Sequence, residues 1–194
     1  YTRPEFTIDG VTKLLIAIRF YRVGANYMVI CDMFGISYAT VQNIVWEVSF
    51  LIAQERDRFI FMPTTQEEIL QAKADFMSLA HFSLCIAAVD GTHVPINSFG
   101  GPDAELYRNR HLFFSMKVQL AVSADERILD VVARWPESAH DSRIFTNSNL
   151  CDRFRRGEFG EYSVLVADSA YPPERFICEP LNHVVTINKE TYQD

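Results

Sequence analysis

Apolar positions along the chain change their spacing near residue 83. Before it they recur at helical intervals: Ile8, Val11, Leu14, Leu15, Ile18 and Tyr21 line one face of a first helix, which Gly24 ends. The stretch YMVICDMFGISYATVQNIVWEVSFLIA predicts a short helix, a tight turn at Gly35 and a longer helix capped by Ser37, the outline of a helix-turn-helix over residues 27–53. Such a unit either reads DNA with its second helix or packs a core. Between Ser37 and Ala53 there is no Lys or Arg, which favours packing.

Beyond residue 83 the signal is strands. LCIAAV is continuously apolar, as in a central strand covered on both faces. FFSMKVQLAV alternates, with Phe114, Met116, Val118, Leu120 and Val122 on one side and Ser115, Lys117 and Gln119 on a polar side, which predicts a half-exposed antiparallel strand. SADER makes a turn, and ILDVVARW alternates again, with Leu129, Val131, Ala133 and Trp135 opposite Asp130 and Arg134, completing a hairpin. Ser138-Ala139-His140-Asp141 fits a capping box that starts a helix carrying Arg143, Ile144 and Phe145. YSVLVADSAY is a second buried strand that ends in Asp168. The expected organisation is a helical region, residues 1–83, followed by an α/β domain, residues 84–194.

Composition narrows the function classes. The 194 residues, 48% apolar and 22% charged, bury a full core and describe a soluble globular protein. No run is long and apolar enough for a bilayer, and YTRPEFTIDG lacks the order of a secretion signal. It also lacks an initial Met, so the true start is expected upstream. Cys31, Cys85, Cys151 and Cys178 form no CxxC, and no N-x-[ST] acceptor occurs, which fits a reducing compartment. A net charge of −7 excludes bulk electrostatic coating of nucleic acid, so any DNA contact is local. Of 18 basic residues, 14 are Arg; Arg108, Arg110 and His111 cluster, as do Arg153, Arg155 and Arg156, suited to phosphate forks or to a solvated surface.

The candidate chemistry lies in two strands that each end in an Asp followed by a small residue: AAVDGTH around Asp90 and VLVADSA around Asp168. Asp90 ends a buried apolar run, and since an unpaired buried carboxylate costs several kcal/mol, it is expected to need a partner: a metal, a cation or a donor. If the strands are parallel neighbours, both carboxylates meet at the carboxyl edge of the sheet and repel unless a divalent cation bridges them, with Mg²⁺ the natural choice. Such sites serve phosphoryl transfer. An aspartic protease would read Asp-Thr-Gly, whereas residues 90–92 read Asp-Gly-Thr. A haloacid-dehalogenase-like phosphatase would need a first Asp where Ala88 stands, so it lacks its nucleophile. Turn capping by the two aspartates is the remaining structural alternative.

The blocks AAVDGTHVPI, FFSMKVQLAVSADERILDVVARWPESAHDSRIF and VLVADSAYP, in that order, resemble the DDE domain of Harbinger (PIF) superfamily transposases and the nuclease-like proteins derived from them. LLIAIRFYRVGANYMVICDMFGISYATVQNIV is similar to the helical region of that family, so the resemblance runs over nearly the whole chain. It implies an RNase H-like mixed sheet: three antiparallel strands, with the fourth beside the first. It implies Asp90 and Asp168 as the catalytic carboxylates and holders of Mg²⁺ or Mn²⁺ for cleavage and joining of DNA. It also favours a genuine helix-turn-helix, and offers His93, His140, Asp141 and Arg143 as auxiliary residues. The family's third acid, a Glu on a helix beyond the last strand, finds no match before the chain stops at INKETYQD; Glu190 is not in its place, so the fragment is expected to hold an incomplete site. Ala170 and Glu137 stand where the family has Gly, which predicts strained turns.

The leading expectation is therefore a divalent-metal-dependent DNA endonuclease of transposase type. A catalytically silent DNA- or protein-binding protein and, more weakly, a small-substrate phosphohydrolase are the alternatives. The resemblance further implies a nuclear location, with the cytoplasm as second choice, a Myb-like DNA-binding partner, and room for homo-oligomerisation; no Lys/Arg import run is present.

Overall fold

A computed structural model of the chain describes residues 7–24 and 26–179, which form two compact units divided at Phe59/Ile60. The first unit is helical: α1 (Gly10–Val23), α2 (Tyr27–Phe34), α3 (Tyr38–Gln54) and a short α4 (Arg56–Phe59). Gly24 and Gly35 end α1 and α2 in the left-handed region (φ 56° and 65°), where glycine carries no Cβ penalty. Ser37 caps α3 by accepting the Thr40 N–H at 3.2 Å. α2 and α3 meet at 104° across this turn, and Ile16, Ala17, Ile30, Val41, Ile44, Val45 and Val48 fill the core.

One prediction for α1 is corrected. Val11, Leu14, Leu15, Ile18 and Tyr21 are exposed, Val11 by 69%, while Ile16 and Ala17 are fully buried and Phe20 packs beside them. LLIAIRFYRV is apolar around almost its whole circumference, so periodicity could not choose the inward face.

The second unit holds α5 (Gln66–Ala80), β1 (Cys85–Pro95), a 3₁₀ turn (Ala104–Tyr107), β2 (Ser115–Val122), β3 (Ile128–Pro136), α6 (Asp141–Thr146), α7 (Asn149–Arg155), β4 (Val164–Val166) and β5 (Ile177–Cys178). The sheet order is β3-β2-β1-β4-β5. β1, β2 and β3 are antiparallel, whereas β4 pairs parallel to β1 and β5 parallel to β4. This is the RNase H-like arrangement. Although α5 precedes residue 84, it belongs to this unit: Ile69 joins Ile86, Ala87, Val89, Phe145, Leu150 and Leu165 in the second core. α6 and α7 bury Ile144, Phe145, Leu150, Cys151 and Phe154.

Three local predictions change. The polar side of β2 is buried rather than solvated, with Ser115 0% and Gln119 1% exposed: Lys117 meets Asp141 of α6, and Ser115 meets Asn109 and Glu137. In β3 a bulge lets Lys117 face Trp135 while Gln119 faces Val132, so the expected alternation shifts by one residue partway along the strand. Finally, α6 starts at Asp141 with His140 as its N-cap and no side-chain capping bond, so Ser138 forms no capping box.

Candidate active site

β1 pairs with β4 between Cys85 and Ala88 and with β2 from Ala88 to Pro95, so the two pairings overlap at Ala88. Its last pairing with β4 joins Ala88 to Val166, and two residues farther along each parallel strand direction stand Asp90 and Asp168. β1 does not stop at Asp90, as its apolar run predicted; β2 carries it to Pro95, opposite Ser115. Both aspartates are exposed. The expectation that a burial penalty demands a partner for Asp90 is thus corrected, since water solvates it. One oxygen of each is held locally: Asp90 Oδ1 accepts the Gly91 N–H at 2.7 Å, and Asp168 Oδ1 accepts the Ala170 N–H at 3.0 Å in an Asx turn. Their Oδ2 atoms accept no hydrogen bond among the described residues.

Beside this pair lies a buried polar floor that the alternation of β2 disguised as a solvent face. Lys117 Nζ donates to Asp141 Oδ2 at 3.0 Å and to the Ala139 carbonyl at 3.2 Å. Asp141 Oδ1 is buried with no partner and packs on Gly91; a Cβ there would lie 2.5 Å from it. Gln119, opposite Gly91, is buried with both amide atoms unpaired. Tyr171, missed in the sequence reading, is 4% exposed, and its hydroxyl is buried without a partner. Burial, then the charges of Asp141, Asp90 and Asp168, push its phenol well above the usual tyrosine range, so Tyr171 feels all three carboxylates. Each such orphaned group costs about 1–3 kcal/mol, a cost that sites serving ligands tolerate. The signal for Tyr171 in the sequence was only an aromatic three residues after Asp168; for Lys117 it was a lone cation on an otherwise uncharged strand.

The other candidates lie apart in their bonding. His93 Nδ1 meets Glu137 Oε2 at 2.6 Å, and Ser115 Oγ donates to the same oxygen at 3.3 Å. Glu137 therefore anchors His93, and neither Glu137 nor Ala170 adopts a positive φ, so the predicted turn strain is absent at both. His140 is exposed at the start of α6, and Arg143, also exposed, lies over the Trp135 ring at 5.6 Å. The arginine clusters are largely engaged by neighbouring carboxylates: Arg108 with Glu105, Arg153 and Arg156 with Glu158, Arg155 with Glu174. Glu190 lies outside the described residues.

For a divalent cation the donor chemistry fits in part. Two exposed carboxylates, each with an unengaged oxygen, suit a hard ion that keeps several waters. Among the described residues, no group of three His, Cys, Asp or Glu side chains is arranged to hold a metal, and Asp141 is turned toward Lys117.

The sequence matches the family model for DDE superfamily endonuclease over residues 89–192. It is 27% identical over 175 residues to Protein ALP1-like of Arabidopsis thaliana, an alignment covering 82% of this chain and 42% of that protein, so the chain spans about two fifths of that relative's length. No solved structure matches. With the family match extending over more than half of its residues and the sheet wound as that fold requires, the chain belongs to the DDE superfamily endonucleases.

Proposed function

We propose that Asp90 and Asp168 together hold a divalent cation, Mg²⁺ or Mn²⁺, for phosphodiester cleavage and strand transfer in DNA. One observation carries the reading: the parallel pairing of β1 and β4 leaves the two aspartates equally far beyond Ala88 and Val166. A bound cation would supply an activated water or hydroxyl and stabilise the leaving oxygen. The chain's own residues do the rest. The Gly91 and Ala170 N–H groups fix one oxygen of each carboxylate and leave the other without a donor among the described residues. The Lys117–Asp141 pair fills the space beside Gly91. Because the carboxylates are exposed rather than enclosed, the site suits a polymer backbone better than a small phosphomonoester.

The test is a Mn²⁺ titration of the wild type, Asp90→Asn and Asp168→Asn by calorimetry, with a thermal melt of each. Both variants are expected to lose Mn²⁺ affinity by at least about tenfold. Both sites are exposed, so stability should stay within about 0.5 kcal/mol. Unchanged titrations in both variants would overturn the reading. A Mn²⁺-binding wild type that retains duplex DNA yet leaves supercoiled plasmid intact would instead mark a silent binder.

A further inference from the structure

Tyr171 has no task in the chemistry described above, yet its placement is tied to the site. Its N–H donates to the Asp168 carbonyl at 3.2 Å, so the backbone that presents the aspartate also fixes the tyrosine. Its ring is held edge-on to Phe145 of α6, with centroids 5.6 Å apart at 70°. The hydroxyl ends in a buried position without a partner, and of the charges acting on it Asp141 is the strongest, followed by Asp90 and Asp168. Asp141 Oδ1 is likewise buried and unpaired. A phenylalanine would fill the same core space without burying an unmatched hydroxyl. The hydroxyl is therefore an unmatched buried donor on a residue whose own backbone is hydrogen-bonded to Asp168.

We propose that Tyr171 is a positioning residue of the Asp90–Asp168 site: when a divalent cation draws the carboxylates together, the Tyr171 hydroxyl donates to one of them and fixes the oxygens that face the ion. The inference rests on the metal-binding reading of those two aspartates and adds a residue to it. Removing the hydroxyl should leave the metal-free fold intact while weakening the loaded state, the opposite of what a structural hydroxyl would do.

The experiment compares wild type, Tyr171→Phe and Asp90→Asn in the whole chain. Thermal melts without metal and Mn²⁺ titrations are combined with Mg²⁺ titration of ¹³Cζ-labelled tyrosine, in which the Tyr171 line is assigned by its absence from the Phe variant. The expected result is a Tyr171→Phe protein that melts no lower than wild type without metal, binds Mn²⁺ about tenfold more weakly, and lacks a tyrosine line that moves with Mg²⁺ in wild type but not in Asp90→Asn. Equal Mn²⁺ affinity in wild type and Tyr171→Phe, or a Phe variant that melts distinctly lower without metal, overturns the proposal and leaves the aspartate reading standing. A wild type that binds no Mn²⁺ overturns both, and that failure is recognised because it appears before any substitution is made.

Discussion

At Gly91 the reason for a glycine is space, not backbone freedom. Its φ is not in the left-handed region, but a Cβ would stand 2.5 Å from Asp141 Oδ1 and 3.3 Å from its Cγ. Asp141 cannot retreat easily because Lys117 holds its other oxygen. Gly91→Ala should therefore cost about 1–3 kcal/mol through overpacking; chemical denaturation would show it, and an unchanged midpoint would mean that Asp141 moves freely. The two aspartates were legible in the sequence because a charge after an unbroken apolar run is conspicuous. Lys117, Gln119 and Tyr171 were not, since their roles follow from tertiary packing, such as Lys117 of β2 meeting Asp141 of α6, which alternation along one strand cannot encode.

Among the elements, α5 and α6 show how similar starting signals diverge. Thr65 and Glu68 form a complete capping box: the Thr65 hydroxyl accepts the Glu68 N–H at 3.2 Å, and Glu68 accepts the Thr64 and Thr65 N–H groups at 2.8 and 3.0 Å. At Ser138 the matching position is Asp141, one methylene shorter than Glu and engaged by Lys117, so the reciprocal bonds do not form. The hydrogen bonds from Thr64 and Thr65 hold the Glu68 carboxyl at about 2, below its ordinary 4.5. Its folded value is depressed, so its stabilisation of α5 is present above about pH 4.5 and is lost as pH falls through about 2. A ¹³C titration should find Glu68 still ionised at pH values where solvent-exposed glutamates have protonated; a normal midpoint would contradict the capping account. Strand existence was readable from periodicity, but the β3 bulge was not, because an inserted residue leaves the composition of a strand unchanged.

For the whole molecule, the two cores share no residue: one is built from Ile16 to Val48, the other from Met62 to Phe176. The helical unit and the sheet unit are expected to unfold in separate transitions, which Trp46 and Trp135, one in each, can report. Single-tryptophan variants Trp46→Phe and Trp135→Phe should give different denaturation midpoints; coincident curves would show a single cooperative unit. The hairpin and the two buried strands were legible from their own patterns and the RNase H-like order only through the family resemblance of the blocks that hold them, while the membership of α5 was hidden by its purely helical spacing. The central claim, that one cation is gripped from two adjacent parallel strands, is tested most directly by loading Fe²⁺ and adding ascorbate and peroxide, which cut the backbone only close to the bound metal. The account predicts cuts near residue 90 and near residue 168 together, both lost in Asp90→Asn and both lost in Asp168→Asn. Cuts at only one of the two strands, or cuts that survive either substitution, would contradict it.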